Sequence, residues 1–381
     1  MDFSLTEDQR LLLGEWRKAI DRDIEPVTRQ HLDGFIPQEA ARALLKKTGE
    51  FGIGNGWVAE KDGGLGLDFL TSGLLYEELS RTSPDLAGLA FVAEGAMLKL
   101  SRAGSDDLKA RYLPRLLAGE LIGCSAISEP GMGSSVREMR TRAVRDGKHY
   151  RISGEKLWIS NASIADITIL VAKTSEDEFT MFLVDREEHG FKTGEISKLG
   201  LNGWSLGQIS FDDIVVSEEN ILGGLGGGLR ETMKGFERSR CFISTLALGI
   251  AQASLDEGLK YVKERHAFGK AIGGHQLVQA LLAEMVSDVE ASRLLLYRAL
   301  WMLSGDQRCE LEAAVAKSFV TEAAQRVTSK AIQLHGAFGI SKEFAVERHF
   351  RNARMLTLPD GTTQINQLII GRKVTGIDAF S

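Results

Sequence analysis

The placement of proline most constrains how this chain can fold. After a glycine-rich run at residues 223–228, no proline occurs until Pro359. Proline interrupts helices because it lacks an amide proton and its ring clashes with the preceding turn. The long interval without proline permits uninterrupted helices, as an antiparallel bundle requires. Apolar residues repeat there at the spacing of one helix face: Met285, Val289, Leu296, Leu300 and Leu303.

The first part of the chain, to about residue 120, also has a helical pattern. Thr6 and Gln9 have the spacing of a capping sequence at a helix start. The apolar residues Leu12, Trp16 and Ile20 then recur at helical spacing. We therefore predict helices throughout this part.

Short β-branched and aromatic stretches mark the part between residues 121 and 225. Residues 167–171 and 180–184 are good strand candidates, and turns containing glycine, aspartate and lysine separate these stretches. Spacing this close favours a compact β-barrel or sandwich over βαβ units. Together the patterns predict a multidomain α+β chain with an N-terminal helical domain at 1–120, a middle β-domain at 121–225 and a C-terminal four-helix bundle at 226–381.

Composition and charge narrow the function classes. The 381 residues include 52 acidic and 46 basic side chains, and the net charge of −6 argues against a nucleic-acid binder. No apolar run approaches the roughly 18 residues that span a bilayer, and the N-terminus lacks the features of a signal peptide. Cys124, Cys241 and Cys309 have neither metal-ligand nor disulfide spacing. We expect a cytoplasmic protein without a membrane partner or a metal site.

Two motifs of the β-region could contact a ligand. In residues 128–135 (SEPGMGSS), glycines permit close backbone approach and hydroxyls can bind phosphate oxygens, although a simple turn is the alternative. In residues 156–161 (KLWISN), the indole of Trp158 could pack on a flat ring while Ser160 bonds a ring nitrogen. A core tryptophan beside a turn is the alternative for this second motif.

Three further motifs lie in the helical C-terminal part. Residues 265–270 (RHAFGK), with Gln276, form a basic and aromatic loop that could pair with a pyrophosphate or could simply connect two helices. Residues 333–339 (QLHGAFG) could be a helix C-cap or a close backbone approach to a neighbour or ligand. In residues 358–365 (LPDGTTQI), Asp360 could be a helix N-cap or a catalytic carboxylate.

These five motifs, each weak alone, occur in one order on one α-β-α layout. Together they closely resemble the acyl-CoA dehydrogenase family, and the resemblance runs from Met1 to about Arg372. It implies that FAD binds between the β-domain and the C-terminal bundle. It also implies α,β-dehydrogenation of an acyl-CoA thioester, in which a base takes the α-proton while the β-hydrogen leaves as a hydride to flavin N5.

The resemblance assigns the FAD contacts to several groups of residues. The flavin and its pyrophosphate would be lined by Ser125, Ala126, Ile127, Ser128, Gly133 and Ser134. The isoalloxazine ring would meet Trp158, Ile159 and Ser160. Contacts across a subunit interface would come from Arg265, Phe268, Gln276, Gln333, Leu334, Gly336 and Ala337, and contacts just after the base from Thr362 and Gln364. A shared site of this kind implies a homo-oligomer, and the family is usually tetrameric.

The substrate contacts and the base follow from the same resemblance. The thioester would meet Ser134, Glu94, Ser239, Arg240, Gly361 and Arg372, although Glu94 could instead be a carboxylate paired within the helices. Asp360 stands where the family usually has a glutamate base, and it is shorter by one methylene, roughly 1.5 Å of reach. Ser239 occupies the second base position of some relatives and cannot act as a base unaided. An electron-transfer flavoprotein or a similar acceptor would take the electrons.

The shorter base leaves several activities open. The leading interpretation is dehydrogenation of a short, branched or cyclic acyl-CoA. One alternative is a dehydrogenase for acyl groups on a carrier protein. Another is a flavin oxidase or monooxygenase of the same fold, as in nitroalkane oxidases, which use an aspartate base. A flavin-binding protein without catalytic activity is the remaining alternative.

Overall fold

The computed structural model describes residues 4–379. Its helices are α1 (Glu7–Ala19), α2 (Glu25–Thr28), α3 (Gln38–Gly49), α4 (Phe69–Thr82), α5 (Pro84–Ala103), α6 (Asp106–Leu117), α7 (Arg186–His189), α8 (Gly228–Glu264), α9 (Gln276–Ser304), α10 (Glu310–His335), α11 (Val346–Met355) and α12 (Thr363–Thr375). Its strands are β1 (Gly123–Ala126), β2 (Arg142–Asp146), β3 (His149–Ser160), β4 (Ile167–Lys173), β5 (Phe179–Asp185), β6 (Lys192–Glu195), β7 (Leu206–Ser217), β8 (Ile221–Leu222), β9 (His266–Ala267) and β10 (Lys270–Ala271).

The described chain divides into two compact units. The first contains the residues up to Asp68 together with Asp85–Lys198 and Asn202–Gly235. The second contains Phe69–Pro84, Leu199–Leu201 and the residues from Phe236 onward. Strands β1–β8 therefore belong to the first unit, whereas α4 belongs to the second unit with the C-terminal helices.

Helix α1 begins as its sequence predicts. The Thr6 hydroxyl accepts a hydrogen bond from the Gln9 amide at 3.2 Å, and the Gln9 side-chain oxygen accepts one from the Thr6 amide at 3.1 Å. This reciprocal cap satisfies amides that a helix start otherwise leaves without partners. Trp16 and Ile20 on the apolar face are buried, and Leu12 is half-buried.

The β-region forms one mixed sheet with the strand order β6-β7-β3-β2-β4-β5-β8. Strand β1 pairs in parallel with β4, from Gly123 opposite Ile167 to Ala126 opposite Leu170. Strand β2 meets β4 only where Arg142 lies opposite Lys173. Because β5 occupies the whole of the other edge of β4, β1 and β2 must share one edge, and the sheet splits there. This layout of short, mostly antiparallel strands excludes βαβ units, as predicted.

Strands β4 and β5 are buried on both faces, which accounts for their almost continuous apolar sequence. On one face, Ile169 and Val171 pack in a core that also contains Met97 and Leu100 of α5. The opposite face packs in a second core with residues of β3 and β7: Leu170, Ala172, Phe182, Ile152 and Phe211. The two faces alternate because successive strand residues point in opposite directions. Because β1 pairs with β4, it belongs to the same sheet.

Helix α10 is central to the second unit and packs against α9, α11 and α12, while α9 also packs against α4. On α9, Met285, Val289, Leu296 and Leu300 are at most 1% exposed, as the predicted face requires, whereas Leu303 is half-buried. Helix α8 continues for 37 residues without a break, as the absence of proline permits. None of the helices in residues 4–379 has both the length and the apolar character that crossing a membrane requires.

Candidate active site

The loop after β1 contains a tight turn. Glu129 and Met132 exchange backbone hydrogen bonds of 2.9 and 3.1 Å, and the Met132 side chain is buried in a core of the first unit. Gly131, Gly133 and Ser134 are exposed. A Cβ atom at either glycine would meet open space, and neither glycine has the left-handed backbone that favours this residue type. The turn itself therefore does not require these glycines, whereas close approach of a ligand would.

A buried ion pair joins this loop to β3. The Lys156 ammonium is fully buried and donates to the Ile127 carbonyl and to the Glu129 carboxylate, both at 2.9 Å. That carboxylate also accepts the amides of Arg140 and Thr141 at 2.7 and 2.9 Å. Burial tends to raise the pKa of Glu129, but hydrogen bonds from Thr141 and Arg140, with the Lys156 charge, outweigh burial and lower it. Burial lowers the pKa of Lys156 to about 8 against the opposing charge of Glu129.

Trp158 lies on an irregular part of β3. The pairing with β7 shifts register between Lys156 and Ile159, and Trp158 has a positive φ of 61°. Trp158 is 56% exposed, so the alternative of a core tryptophan is wrong. Its neighbour Ile159 is buried, and Ser160 is half-buried. An indole presented in this way can stack on a planar ligand.

Asn161 holds the end of β3 in place. Its buried side-chain amide donates to the Leu89 carbonyl of α5 at 3.0 Å, and its oxygen accepts the indole N–H of Trp204 at 3.1 Å. Its positive φ of 65° turns the chain out of the strand. The final asparagine of the second motif is therefore a structural anchor for the residues before it.

The other predicted site residues of the first unit differ in exposure. Among the predicted flavin contacts in residues 125–128, Ala126 is buried, and Ser125, Ile127 and Ser128 are half-buried. The Ser125 hydroxyl accepts a hydrogen bond from the Lys99 ammonium at 2.8 Å. Glu94 is fully buried, and its oxygens accept the backbone amides of Trp57 at 2.7 Å and Gly54 at 3.3 Å. These contacts match the paired carboxylate of the alternative interpretation of Glu94.

In the second unit, the basic loop between α8 and α9 is a small hairpin. Strands β9 and β10 pair with Ala267 opposite Lys270, and Phe268 at the tip has a positive φ of 51°. Phe268 is 96% exposed, and Arg265 and Gln276 are also exposed. The predicted contact residues of this loop therefore all point away from the core of their unit.

The predicted contact segment at the end of α10 contains both buried and exposed residues. Gly336 follows the helix with a positive φ of 58°, and His335 stacks on Tyr261 of α8 with 4.1 Å between the ring centroids. Leu334 is buried, so only its backbone can meet a ligand. The exposed predicted contacts of this segment are Gln333, Gly336 and Ala337. The histidine of this motif therefore fixes α10 against α8.

Thr362, not Asp360, is the N-cap of α12. The Thr362 hydroxyl accepts the Ile365 amide at 3.2 Å, and Gln364 in the first turn is exposed. Asp360 is half-buried and has a left-handed backbone with φ 54°, and Gly361 follows with φ 93°. An N-cap lies directly before the helix, usually with a β-region backbone, and Thr362, with φ −56° and ψ 164°, occupies that position. The N-cap interpretation of Asp360 is therefore wrong.

The charge of Asp360 acts on two buried cations. Lys317 of α10 is fully buried and Arg240 of α8 is 5% exposed. Burial lowers the pKa of Arg240, and the charge of Asp360 is the largest opposing effect. Burial likewise lowers the pKa of Lys317 to about 8, again against the charge of Asp360. Since opposite charges attract, Asp360 and these two buried cations stabilise one another.

The remaining predicted substrate contacts, Ser239 and Arg372, lie on α8 and α12. Ser239 on α8 is half-buried, and Arg372 pairs with Glu310 at 2.7 Å. Glu237, the carboxylate nearest in sequence to Ser239, is buried and accepts the Arg308 guanidinium at 2.7 Å. Glu237 is therefore committed to the residues before α10, which leaves Asp360 as the better candidate base.

Comparison with known proteins agrees with this layout. Three acyl-CoA dehydrogenase domain models match the chain: the N-terminal domain at residues 6–120, the middle domain at 124–214 and the C-terminal domain at 226–375. Cyclohex-1-ene-1-carbonyl-CoA dehydrogenase from Geobacter metallireducens is 36% identical over 97% of this chain and 98% of its own length. The protein of the same name from Syntrophus aciditrophicus is 34% identical over 97% of this chain and 90% of its own length.

Solved structures agree as well. Glutaryl-coenzyme A dehydrogenase in its glutaryl-CoA complex is 33% identical, with a TM-score of 0.93 over 99% of this chain and 97% of that one. Members of the family bind FAD. The predicted resemblance, the α-β-α architecture and the cofactor class are therefore confirmed. The chain belongs to the acyl-CoA dehydrogenase family and is a flavin-dependent oxidoreductase that acts on acyl-CoA thioesters.

Proposed function

We propose that the chain oxidises a short, branched or cyclic acyl-CoA to its α,β-unsaturated product, with Asp360 as the base. The observation that carries the proposal is the environment of Asp360. It is half-buried on a loop before α12, and Thr362 rather than Asp360 caps that helix. Its charge acts on the buried cations Arg240 and Lys317. A carboxylate that is already ionised can accept a proton from the substrate.

The bond changes assign a role to each reacting group. Asp360 takes the α-proton, and the electron pair of the broken α-carbon–hydrogen bond forms the double bond as the β-hydrogen leaves as a hydride. When bound, FAD supplies the acceptor for that hydride. The backbone amide of Asp360 is proposed to donate to the thioester carbonyl oxygen, where negative charge develops. Without such a donor, the α-proton is too weakly acidic for a carboxylate.

The first unit has surfaces that fit FAD. Trp158 is 56% exposed and can stack on a flat ring, with Ser160 beside it. Gly131 and Gly133 have open space where a Cβ would lie, which suits a backbone approached closely by a pyrophosphate. Ser134 is exposed next to them and can donate a hydroxyl. We propose that these residues, with the half-buried side chains of the preceding loop, hold the cofactor.

We propose that the protein assembles as a homo-oligomer of the family's tetrameric type, and that assembly completes the FAD site. Several large apolar side chains of the second unit are exposed: Phe268, Leu277, Leu294, Trp301, Ile340 and Ile377. Exposed apolar surface of this extent is a common mark of protein interfaces. Sedimentation velocity should give a tetramer, and Phe268→Ala should weaken FAD retention. A monomer that retains FAD would contradict the proposal.

The acyl group is inferred from the base and from the relatives. Two of the most similar relatives are named for a cyclic acyl-CoA. Asp360 reaches roughly 1.5 Å less far than a glutamate, so the α-carbon must lie closer to the loop. A cyclic or α-branched acyl group carries more bulk at the α-carbon than a linear one. We therefore expect activity on the saturated ring analogue, cyclohexane-1-carbonyl-CoA, which carries an α-proton, above that on butyryl-CoA.

The aspartate also favours a second candidate, a flavin oxidase or monooxygenase of the same fold. Rapid reaction of the reduced protein with oxygen would support that candidate. Slow reaction with oxygen, together with electron transfer to an electron-transfer flavoprotein, would support the dehydrogenase. Activity on carrier-bound thioesters without activity on free CoA esters would establish the carrier-protein alternative.

The test is an anaerobic titration of the purified holoprotein with a panel of CoA thioesters, in which loss of flavin absorbance reports oxidation of the substrate. The wild type should be bleached by at least one cyclic or branched thioester. Asp360→Asn should retain FAD and should bleach far more slowly. Bleaching of Asp360→Asn at the wild-type rate would exclude Asp360 as the base.

A further inference from the structure

We infer that Lys317 is a positioning residue for the base: its buried ammonium holds the loop that carries Asp360 and places a positive charge beside that loop. This inference rests on the proposed role of Asp360. Lys317 itself is on α10, on a face it shares with the buried residues Ala313 and Val320. Its charge is therefore enclosed within the second unit.

The geometry ties Lys317 to both sides of Asp360. The ammonium donates to the Thr357 carbonyl at 3.0 Å and to the Gly361 carbonyl at 2.8 Å. The three residues before Gly361, which end in Asp360, are thus enclosed by two hydrogen bonds to one side chain. Asn366 adds a second donor to the Gly361 carbonyl at 2.8 Å, on the α12 side. On the other side, Arg354 donates to the Thr357 hydroxyl at 2.9 Å, and Lys317 is the side chain that contacts both sides of the loop.

The loop needs such support because its conformation is unfavourable. Asp360 has a φ of 54°, in the left-handed region that non-glycine residues seldom adopt. Gly361 follows with a φ of 93°. Without the two carbonyl contacts, the loop could relax towards ordinary backbone angles. The Asp360 carboxylate would then move, and a displacement of about 1 Å can slow a positioned reaction about a hundredfold.

Charge, and not only hydrogen bonding, distinguishes Lys317 from a neutral donor. A glutamine could donate to both carbonyls without the cost of burying an ammonium. That cost is seen in the pKa of Lys317, which burial lowers to about 8. Near neutral pH the side chain is still mostly protonated, so the loop faces a positive charge. What the ammonium adds is therefore an electrostatic effect on Asp360.

The other charged groups nearby have partners of their own, although Glu322 also acts on Lys317, and Glu310 and Glu237 also act on Arg240. Glu310 pairs with Arg372 and Lys373. Glu322 accepts the Thr363 hydroxyl at 2.7 Å, and Glu237 is paired with Arg308. Arg240 is the second cation that acts on Asp360, and it acts on Lys317 as well. Loss of Lys317 therefore removes one buried cation on which the charge of Asp360 acts and leaves another, Arg240.

Two substitutions separate the charge of Lys317 from its hydrogen bonds. Lys317→Gln keeps a donor and removes the charge, whereas Lys317→Met removes both. In each holoprotein, the rate of flavin reduction by the thioester is measured anaerobically across pH. In both variants, the rate of flavin reduction should begin to fall on the acid side at a pH that is about half a unit or more above that of the wild type. The maximal rate should fall further, about tenfold, in Lys317→Met.

A control variant on the same helix tests for general effects. Lys330→Met on α10 removes a lysine that is 20% exposed and paired with Glu284 at 3.0 Å. Its pH profile should match that of the wild type. If Lys317→Gln and Lys317→Met also keep the wild-type pH profile and only unfold at lower temperature, Lys317 is merely structural and the inference is wrong.

A double-mutant cycle of melting temperatures provides a measurement that does not depend on turnover. Melting temperatures are compared for wild type, Lys317→Gln, Asp360→Asn and the double variant. Because the two charges attract each other, the loss caused by Lys317→Gln should be smaller in the Asp360→Asn background. Strictly additive losses would overturn the inference. Bleaching of Asp360→Asn at the original rate would instead overturn the proposed base, whichever result the Lys317 variants give.

Discussion

The Lys156 ammonium lies 2.9 Å from the Glu129 carboxylate in a buried pair that joins the loop after β1 to β3. Removal of one member of a buried pair leaves the other charge without compensation. Lys156→Met should therefore lower the free energy of unfolding by about 3–5 kcal/mol. It should also weaken FAD retention, because the loop and Trp158 are held by the same contact. Thermal unfolding and the absorbance ratio of flavin to protein measure the two effects.

The matched control for this pair is Lys18→Met. Lys18 pairs with Glu15 at 2.7 Å, but its side chain is 72% exposed. Exposed pairs contribute at most about 1 kcal/mol, so this variant should melt close to the wild type. The double variant Glu129→Gln/Lys156→Met should be more stable than Lys156→Met alone. A Lys156→Met protein with wild-type stability and FAD content would contradict the account of this loop.

Trp158 offers a direct test of the cofactor surface. Because its indole is 56% exposed, Trp158→Ala should leave the fold stable. If it stacks on the flavin, the dissociation constant of FAD should rise about tenfold or more, and Trp158→Phe should restore part of the affinity. Titration of the apoprotein with FAD measures the change. Val144→Ala, at a residue that is 61% exposed on β2, is the control and should bind FAD normally.

The sequence could predict the elements of the fold because their patterns are periodic. The helical face of α9 and the double-faced apolar strand β4 are simple repeats, and both were found as predicted. The buried charges were missed, since a lysine in a strand or a helix normally faces water. The sequence does contain an indication of each buried lysine. Lys156 lies on the same face of β3 as the buried Ile152, and Lys317 lies on the same face of α10 as the buried Val320.

Thr362 should be more important than Asp360 for the stability of α12. Its hydroxyl accepts the Ile365 amide at 3.2 Å. Thr362→Ala should cost about 1 kcal/mol, and Thr362→Ser should keep the cap. Asp360→Asn should leave the Thr362 cap in place, and any loss of stability that it causes should come from the opposing charge lost by Arg240 and Lys317. A loss of stability in Thr362→Ala no larger than that in Thr362→Ser would contradict the assignment of the cap.

The two interpretations of Asp360 could not be separated from the sequence alone. Both Asp360 and Thr362 are residue types that cap helices, and both precede the apolar run of α12. Backbone conformation decided between them, because Asp360 and Gly361 have positive φ and delay the helix. Likewise, the positions of Arg240 and Lys317 around Asp360 depend on the packing of α8 and α10, which is set by many contacts distant in sequence.

His349 should make the protein less stable in mild acid. Burial, with a smaller contribution from the charge of Arg348, lowers the pKa of His349 from 6.5 to about 3. The unfolded chain therefore takes up a proton at higher pH than the folded one, and stability is lost as the pH falls from 6.5 towards 3. The loss is about 1.4 kcal/mol per pH unit in this window. The melting temperature should depend less on pH in His349→Gln than in the wild type. In His149→Gln, a substitution at an exposed position of β3, it should depend on pH as in the wild type.

Asp360→Glu tests whether the shorter base matches a bulkier acyl group. The added methylene extends the carboxylate by roughly 1.5 Å. The rate of flavin reduction should fall about tenfold or more for a cyclic thioester, and it should fall less, or rise, for butyryl-CoA. Anaerobic stopped-flow mixing with both substrates measures the ratio of the two rates. An unchanged ratio would show that the length of the base does not select the acyl group.

The role of Asp360 as the base is tested most directly by the rate of flavin bleaching when the wild type and Asp360→Asn are mixed anaerobically with cyclohexane-1-carbonyl-CoA. Asparagine keeps the size of the side chain but cannot take a proton at neutral pH. Both proteins should contain FAD. The account predicts rapid bleaching of the wild type and a loss of about a hundredfold or more in Asp360→Asn. Equal rates in the two FAD-containing proteins would contradict it.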